Sequence, residues 1–342
     1  MRHPRASAAA VALALASTLA RAEAPFSFAD TPGKLPKDVI PLLYDAHLVP
    51  DVKADTFRGE QRVQIEVLRP TSRIVLNAAN LQIERAALLG GGMAERALVP
   101  ILDDKQETLA FELGAPLAPG RYTLALRFSG QINREGRGLF QVGYKADGLD
   151  KKLIATTMEP SDARRMLPTW DEPAFRARFK LTVDVPASFK AYSNTPIEKT
   201  DKLANGVQRI SFAPTPKMPS YLVVLVAGEL ERVSARQDGV EIGVVTTAGK
   251  LGSAAFPLQA TKDLLHYYNN YFGVPYPLAK LDQIAIPGGF NGAMENWGGI
   301  VYNESTLLYD PVKSPENVKK LTFEVNAHEV AHQWFGNLVT MA

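Results

Sequence analysis

The chain contains no cysteine, which excludes disulfide bonds and thiolate chemistry. It also excludes a lipid anchor attached to an amino-terminal cysteine. Neither sign of charge predominates, because 38 Lys and Arg residues face 36 Asp and Glu residues and leave a net charge of +2 without a basic run. Nothing therefore indicates nucleic-acid binding. Histidine and tryptophan are scarce, with five and three copies, so a motif built from them seldom arises by chance.

Long apolar runs are also lacking after the amino terminus, so we expect no transmembrane helix and no membrane anchor. Residues 8–19 form an apolar run that is too short to span a bilayer, and Arg2 and Arg5 precede it. Ala20-Arg21-Ala22 then provides a small-x-small cleavage site. This pattern predicts a signal peptide over residues 1–22, cleaved after Ala22, and a periplasmic or secreted protein. The alternative is a disordered, alanine-rich tail.

A chain of 342 residues with 46% hydrophobic and 22% charged residues is typical of a soluble protein of about two domains. Apolar residues alternate with polar ones over 63–67, 122–128 and 179–185. This period of two predicts half-buried strands, and we expect residues 23–233 to form an antiparallel β domain of sandwich type. The apolar run 221–227 predicts a strand that is buried on both faces.

A polar stretch at 234–239 predicts the boundary with a second domain, over residues 234–342. This domain is expected to begin with a strand at 240–244. Leu258, Leu265 and Phe272 then follow helical spacing, and Gly273 ends the predicted helix. A short strand is predicted at 284–286.

A His-Glu-x-x-His motif occupies 328–332. On a helix, His328 and His332 project from one face one turn apart, so both imidazoles can bind one metal ion. Glu329 follows the first histidine and is placed to accept a proton from a metal-bound water. The alternative is a helix whose histidines are ordinary core or surface residues.

The surrounding sequence predicts the limits of this helix. Ser314 is expected to cap it, Pro315 to take its first position, and Gly336 to lie at its end. A three-and-four spacing predicts an inward-facing stripe that includes both histidines. Its members are Leu321, Val325, His328, His332 and Phe335.

Two further segments are unusual. Residues 156–173 are dense in charge, and the residues alone favour a surface loop held by pairs of acidic and arginine side chains. Residues 287–299 are rich in glycine, which allows a backbone to approach a ligand closely; a simple glycine-rich turn is equally compatible. No Gly-Lys-Ser/Thr follows, so this is not a phosphate-binding loop.

Three stretches together resemble the M1 family of zinc aminopeptidases, the aminopeptidase N-like gluzincins. Residues 292–296 (Gly-Ala-Met-Glu-Asn) are similar to its exopeptidase signature, 328–337 to its metal-binding helix, and 159–173 to a loop of its amino-terminal domain. The resemblance covers essentially the whole chain after residue 22. It implies an all-β saddle or sandwich amino-terminal domain, followed by the start of an α+β thermolysin-like catalytic domain.

The resemblance also implies a role for each site residue. His328 and His332 bind zinc, one Zn²⁺ per complete active site, and Glu329 is the general base. Glu295, with Glu159 from the other domain, binds the ammonium group of a peptide substrate with a free amino terminus. The substrate-binding set is completed by the backbone of Gly292 and Ala293, which holds the peptide extended, and by Met294 and Asn296.

Two features depart from the family. Thr157 stands where the family usually has glutamine, which leaves the side-chain preference open. The family's third zinc ligand, a glutamate about nineteen residues after His332, completes the three-ligand site expected for catalytic zinc and lies beyond Ala342. We therefore interpret the chain as an amino-terminal fragment that is inactive alone. Alternatives are a non-catalytic M1-like scaffold and an M1 relative that hydrolyses epoxides.

Overall fold

The computed structural model describes residues 26–341. The predicted signal peptide lies outside these residues. No helix within 26–341 has the length and apolar character needed to cross a membrane.

Strands predominate in the described residues, which form twenty of them and three α-helices. The strands are β1 (Val39–Asp51), β2 (Thr56–Val67), β3 (Thr71–Asn77), β4 (Leu81–Gly90), β5 (Met93–Ala97), β6 (Ile101–Asp103), β7 (Thr108–Leu117), β8 (Gly120–Gln131), β9 (Gly138–Ala146), β10 (Leu149–Thr157), β11 (Arg178–Pro186), β12 (Lys190–Ser193), β13 (Ile197–Lys202), β14 (Val207–Phe212), β15 (Leu225–Gly228), β16 (Leu230–Gln237), β17 (Val240–Thr247), β18 (Lys280–Ile286), β19 (Ala293–Met294) and β20 (Gly299–Asn303). The helices are α1 (Ala255–Phe272), α2 (Glu304–Leu307) and α3 (Glu316–His332).

The amino-terminal part is built almost entirely from strands, as the alternating pattern predicts. An eight-stranded sheet has the order β13-β14-β11-β1-β2-β8-β4-β5, and smaller sheets have the orders β12-β15-β10-β9 and β3-β7-β6. In the large sheet β1 pairs in parallel with β11 and antiparallel with β2. Val63, Ile65 and Val67 of β2 are fully buried, because alternate side chains of a strand point to the same face.

The prediction of a strand over 221–227 is wrong for its first half. A 3₁₀ turn spans Ser220–Leu222, and β15 begins only at Leu225, although all of these residues are buried. The Asn194 side chain donates to the Leu222 carbonyl at 2.7 Å and accepts from the Val224 amide at 3.1 Å. Side-chain amides thus satisfy backbone groups that a strand would pair in its ladder.

The second part of the chain contains a five-stranded sheet of order β16-β17-β18-β20-β19, in which β17, β18 and β20 are parallel. On one face, Val244 and Tyr302 lie in the same hydrophobic cluster as Leu265 of α1 and Val330 of α3. On the other face, Ile284 and Val301 share a cluster with Phe140 and Leu153 from the amino-terminal part. The sheet therefore connects the β-rich part to the helices. Strand β16 runs through residues 233 and 234, where the sequence predicts the domain boundary. The division into two domains at this point stays a prediction.

Helix α1 matches its sequence pattern. It ends at Gly273, whose φ of 66° places it in the left-handed region that glycine adopts without strain. α1 packs on α3 and on the residues that follow it. Asn326 Nδ2 of α3 donates to Thr261 Oγ1 at 2.9 Å, and the Tyr268 ring lies 5.9 Å from that of Trp334, just after α3.

Several predictions about α3 are wrong. Pro315 precedes the first helical residue, Glu316, instead of taking that position, and the helix ends at His332, four residues before Gly336. Ser314 does not cap the helix, because its hydroxyl accepts a hydrogen bond from the Asp310 amide. Nor does the predicted apolar stripe face inward, since Leu321 is 43% and Phe335 64% exposed. The buried face of α3 is instead formed by Thr322, Asn326, Glu329 and Val330. Three of these four side chains are polar, so hydrophobic spacing could not identify the buried side.

Candidate metal and peptide amino-terminus site

The two histidines of the motif lie at the carboxyl end of α3, with their ring centroids 4.6 Å apart and their ring planes nearly perpendicular. Their Nε2 atoms are 3.0 Å apart, which is compatible with sharing one ion when each Zn–N bond is about 2.0–2.1 Å. His332 Nδ1 lies 2.9 Å from the Phe335 carbonyl oxygen. A carbonyl can only accept, so we assign the proton to Nδ1, and the Nε2 lone pair is left available for a metal.

Glu329 lies between the histidines in sequence but points to the protein interior. Its side chain is buried, and Oε2 has no hydrogen-bond partner within residues 26–341. Burial, followed by the charges of Glu295 and Glu159, raises the pKa of Glu329 to about 8. Burial disfavours the charged form of a carboxyl group, and like charges add to this effect. A positive charge bound beside Glu329 would therefore lower its pKa and stabilise the ionised carboxylate.

Glu295 and Glu159 approach this carboxylate from two other elements. Glu295 is buried immediately after β19, and Glu159 is exposed just after β10 in the amino-terminal part. Partial desolvation and the charge of Glu295 raise the pKa of Glu159, and His332 lowers it. The structure thus brings together the five predicted ionisable site residues.

The segment that carries Glu159 is not the surface loop that the residues alone favour. Trp170 and Asp171 within it are buried. The expected arginine pairs are present but lie inward: Arg164 Nε binds Asp171 at 3.0 Å, and Arg165 Nε binds Asp162 at 2.7 Å. A charge-dense sequence resembles an exposed loop, and only tertiary contacts reveal that its charges are paired internally. These contacts fix the position of Glu159.

The glycine-rich segment 287–299 passes close to its neighbours at two points. A side chain at Gly289 would contact the Phe140 ring, and one at Gly298, where φ is 82°, would overlap the backbone oxygen of Asn194. Glycine is required at such close approaches and at positive φ. Between these points lies β19, the edge strand of the five-stranded sheet.

The other predicted substrate-binding residues lie along this edge. Gly292 is exposed and Ala293 half-buried, while Met294 and Asn296 are buried. Asn296 Nδ2 donates to the Val223 carbonyl at 3.3 Å, so its side chain faces the protein. Direct contact between Asn296 and a substrate stays a prediction.

Sequence reasoning assigned no role to two buried amides that follow the motif, Gln333 and Asn337. Gln333 Nε2 donates to the Glu295 carbonyl at 3.1 Å, and Asn337 Nδ2 donates to the same oxygen at 2.8 Å. Gln333 Oε1 also accepts from the Gly298 amide at 3.3 Å. The only sequence signal for a role of Gln333 and Asn337 is their position within the stretch that resembles the metal-binding helix. Their hydrogen-bond partner, Glu295, lies about 40 residues away in sequence, so no local pattern connects them.

Within residues 26–341, His328 and His332 are the two predicted metal ligands at this site. No group of three His, Cys, Asp or Glu side chains in that part of the chain is arranged to hold a metal ion. Two neutral imidazoles are suitable ligands for zinc. They would provide two of the three protein ligands that a catalytic zinc requires.

The chain is similar in sequence to known proteins over most of its length. A family model described as the Peptidase M1 N-terminal domain matches residues 40–222, and the Peptidase family M1 domain matches 256–342. Aminopeptidase N of Acetobacter pasteurianus is 40% identical over 322 residues, which cover 94% of this chain and 90% of that protein.

Larger relatives match as well. Aminopeptidase M1-D of Oryza sativa subsp. japonica is 40% identical over 90% of this chain and 35% of its own length. Endoplasmic reticulum aminopeptidase 1 of Homo sapiens is 38% identical over 90% of this chain and 33% of its own length. The chain thus spans about a third of the length of these two relatives. These matches show that the chain belongs to the M1 family of peptidases.

Proposed function

We propose that this chain carries the metal-binding helix and the substrate amino-terminus site of a zinc aminopeptidase, which removes single residues from the amino ends of peptides. The observation that carries the proposal is the convergence of two imidazoles with three carboxylates from three separate elements. The names of the relatives, all aminopeptidases, support the same reaction.

His328 and His332 would hold the zinc ion. When bound, zinc lowers the pKa of a coordinated water to about 7 and polarises the peptide carbonyl. The third protein ligand would come from outside residues 26–341. Without it we expect weak zinc binding and little turnover, because a catalytic zinc site keeps three protein ligands.

Glu329 serves as the general base. Its unpartnered Oε2 accepts a proton from the attacking water, and the same carboxyl group then returns the proton to the leaving nitrogen. Burial raises the pKa of Glu329 to about 8 in the metal-free chain. A zinc ion held beside it would lower this pKa and keep the carboxylate ionised, so that it can act as a base at neutral pH.

Glu295 and Glu159 recognise the substrate's ammonium group. Two carboxylates that repel each other are stabilised by a cation placed between them, and charge-assisted hydrogen bonds fix its position. Because both carboxylates lie beside the histidines, only a peptide that ends there places its first peptide bond at the metal. Strand β19, at the sheet edge, can pair with the extended backbone of the peptide through Gly292 and Ala293.

The proposed location is the periplasm or the extracellular space, reached through the signal peptide at 1–22. Mass spectrometry of the mature protein tests this, with Glu23 expected as the first residue. Retention of residues 1–22 after export would contradict it.

Zinc affinity, measured by competition with a chromophoric chelator, tests the proposed metal site. We expect His328→Ala to weaken zinc binding by more than about 100-fold, since loss of even an outer-shell group costs 10–100-fold. His266→Ala is the matched control, because His266 is exposed on α1 and contacts Asp238. Equal zinc affinity of the two variants would reject the metal site. Tight one-to-one zinc binding by the 342-residue chain would reject the need for a further ligand.

A further inference from the structure

The backbone that carries Glu295 is held by buried side chains rather than by a strand ladder. Strand β19 has only two residues, and its pairing with β20 ends at Met294. The Glu295 carbonyl instead receives hydrogen bonds from both Gln333 and Asn337, and the Gly298 amide donates to Gln333. Gln333 and Asn337, here called the amide pair, are both fully buried.

The amide pair joins two parts of the site that have different tasks. Gln333 follows His332 directly, and its Nε2 also lies 3.3 Å from the Glu329 carbonyl. One side chain thus contacts the backbone of the general base and the backbone of the amine-binding glutamate. The separation between metal ligands and amine site therefore depends on Gln333 and Asn337.

We propose that Gln333 and Asn337 are positioning residues that fix Glu295 relative to His328 and His332, and so set how far from the metal a peptide must end. The catalytic part of this inference rests on the proposed function. The hydrogen bonds made by the amide pair do not depend on that function. Loss of a donor leaves a buried carbonyl under-satisfied, so the 295–298 backbone shifts to recover a partner. A shift of about 1 Å at a reacting group can cost 10²-fold in rate.

A general stabilising role is the competing explanation, and the chain offers a matched control. Asn326 is also a fully buried amide on α3, but its side chain bonds to Pro257 and Thr261 of α1. Asn326→Leu removes the hydrogen bonds of a buried amide on α3 without touching the Glu295 backbone. A merely structural role predicts the same outcome for all three substitutions.

Hydrogen exchange of the 287–303 segment, read by mass spectrometry, tests the geometry without requiring activity. The Gly298 amide has Gln333 as its acceptor, so Gln333→Met should speed exchange in this segment by at least tenfold, whereas Asn326→Leu should not. Asn337→Leu removes one of two bonds to Glu295 and is the milder variant, which carries the test if Gln333→Met does not fold. Unchanged exchange in a folded amide-pair variant would overturn the proposal.

Kinetics of the complete, zinc-loaded protein, which includes the third zinc ligand, test the consequence. With leucine p-nitroanilide, Gln333→Met and Asn337→Leu should lower kcat/KM by up to about 100-fold, mainly through KM. The inhibition constant of leucinamide should rise in parallel while zinc affinity stays constant. An active wild-type protein whose variants keep KM would refute the positioning role. If the complete wild-type protein, with its third zinc ligand, is inactive while exchange is altered in the variants, the proposed function is refuted instead.

Discussion

Stability of the metal-free protein should fall as pH rises, and Glu329 should cause most of this dependence. The pKa of Glu329 is raised from 4.5 to about 8 in the folded chain, so between these values the folded state binds more protons than the unfolded state. Stability is then fully present below pH 4.5 and is lost as pH rises through 8. Since one pKa unit corresponds to 1.36 kcal/mol, the full change is ~5 kcal/mol.

Urea unfolding between pH 4 and 9, with chelator present, measures this effect. Glu329→Gln removes the titrating group at nearly constant shape, so the variant should show a flatter profile and should exceed the wild-type protein in stability at pH 9. Glu324→Gln, on the exposed side of the same helix, is the control and should retain the wild-type slope. Superimposable profiles for the wild-type protein and Glu329→Gln would refute the reasoning.

Three further predictions concern the surrounding structure and selectivity. Arg164→Ala leaves the buried carboxylate of Asp171 without its arginine partner, and denaturant unfolding should show a loss of about 3–5 kcal/mol; a loss below 1 kcal/mol would contradict the pairing. Gly298→Ala should destabilise far more than Gly249→Ala, because both have φ of 82° but only the former meets a backbone oxygen; equal melting temperatures would contradict this. In the complete protein, Glu295→Gln should lower kcat/KM for a free-amine substrate relative to its N-acetyl form, and an unaltered ratio would remove Glu295 from amine binding.

Much of the fold could be predicted from the sequence because periodic burial leaves a local pattern. The alternation at 63–67 identifies β2, since one face of that strand lies against the core and the other faces solvent. Helix α1 could also be predicted, because its apolar residues follow helical spacing and Gly273 marks its end. The family resemblance added the order of the two parts.

The failures share one physical cause, which is burial of polar groups. The inner face of α3 consists mainly of Thr322, Asn326 and Glu329, so apolar spacing pointed to the wrong side. The 156–173 segment resembled a surface loop because its buried charges find partners within the fold. Such partners are distant in sequence: the Glu295 carbonyl and Asn337 are 42 residues apart, and no local pattern connects them.

The chemistry of the site was predictable at the level of residue type but not of environment. His328, Glu329 and His332 follow from a short motif, whereas the approach of Glu159 from the amino-terminal part depends on how the two parts pack. The raised pKa of Glu329 has the same origin, because it depends on burial and on two carboxylates from other elements.

Hydrolysis by a Glu329→Gln variant of the complete, zinc-loaded protein, which includes the third zinc ligand, tests the central claim most directly. The account predicts that zinc affinity is retained, because both imidazoles remain, while kcat for leucine p-nitroanilide falls by about 10²–10⁴-fold, the usual contribution of a general base. Wild-type turnover by this variant would show that the carboxylate between the histidines does not activate the attacking water.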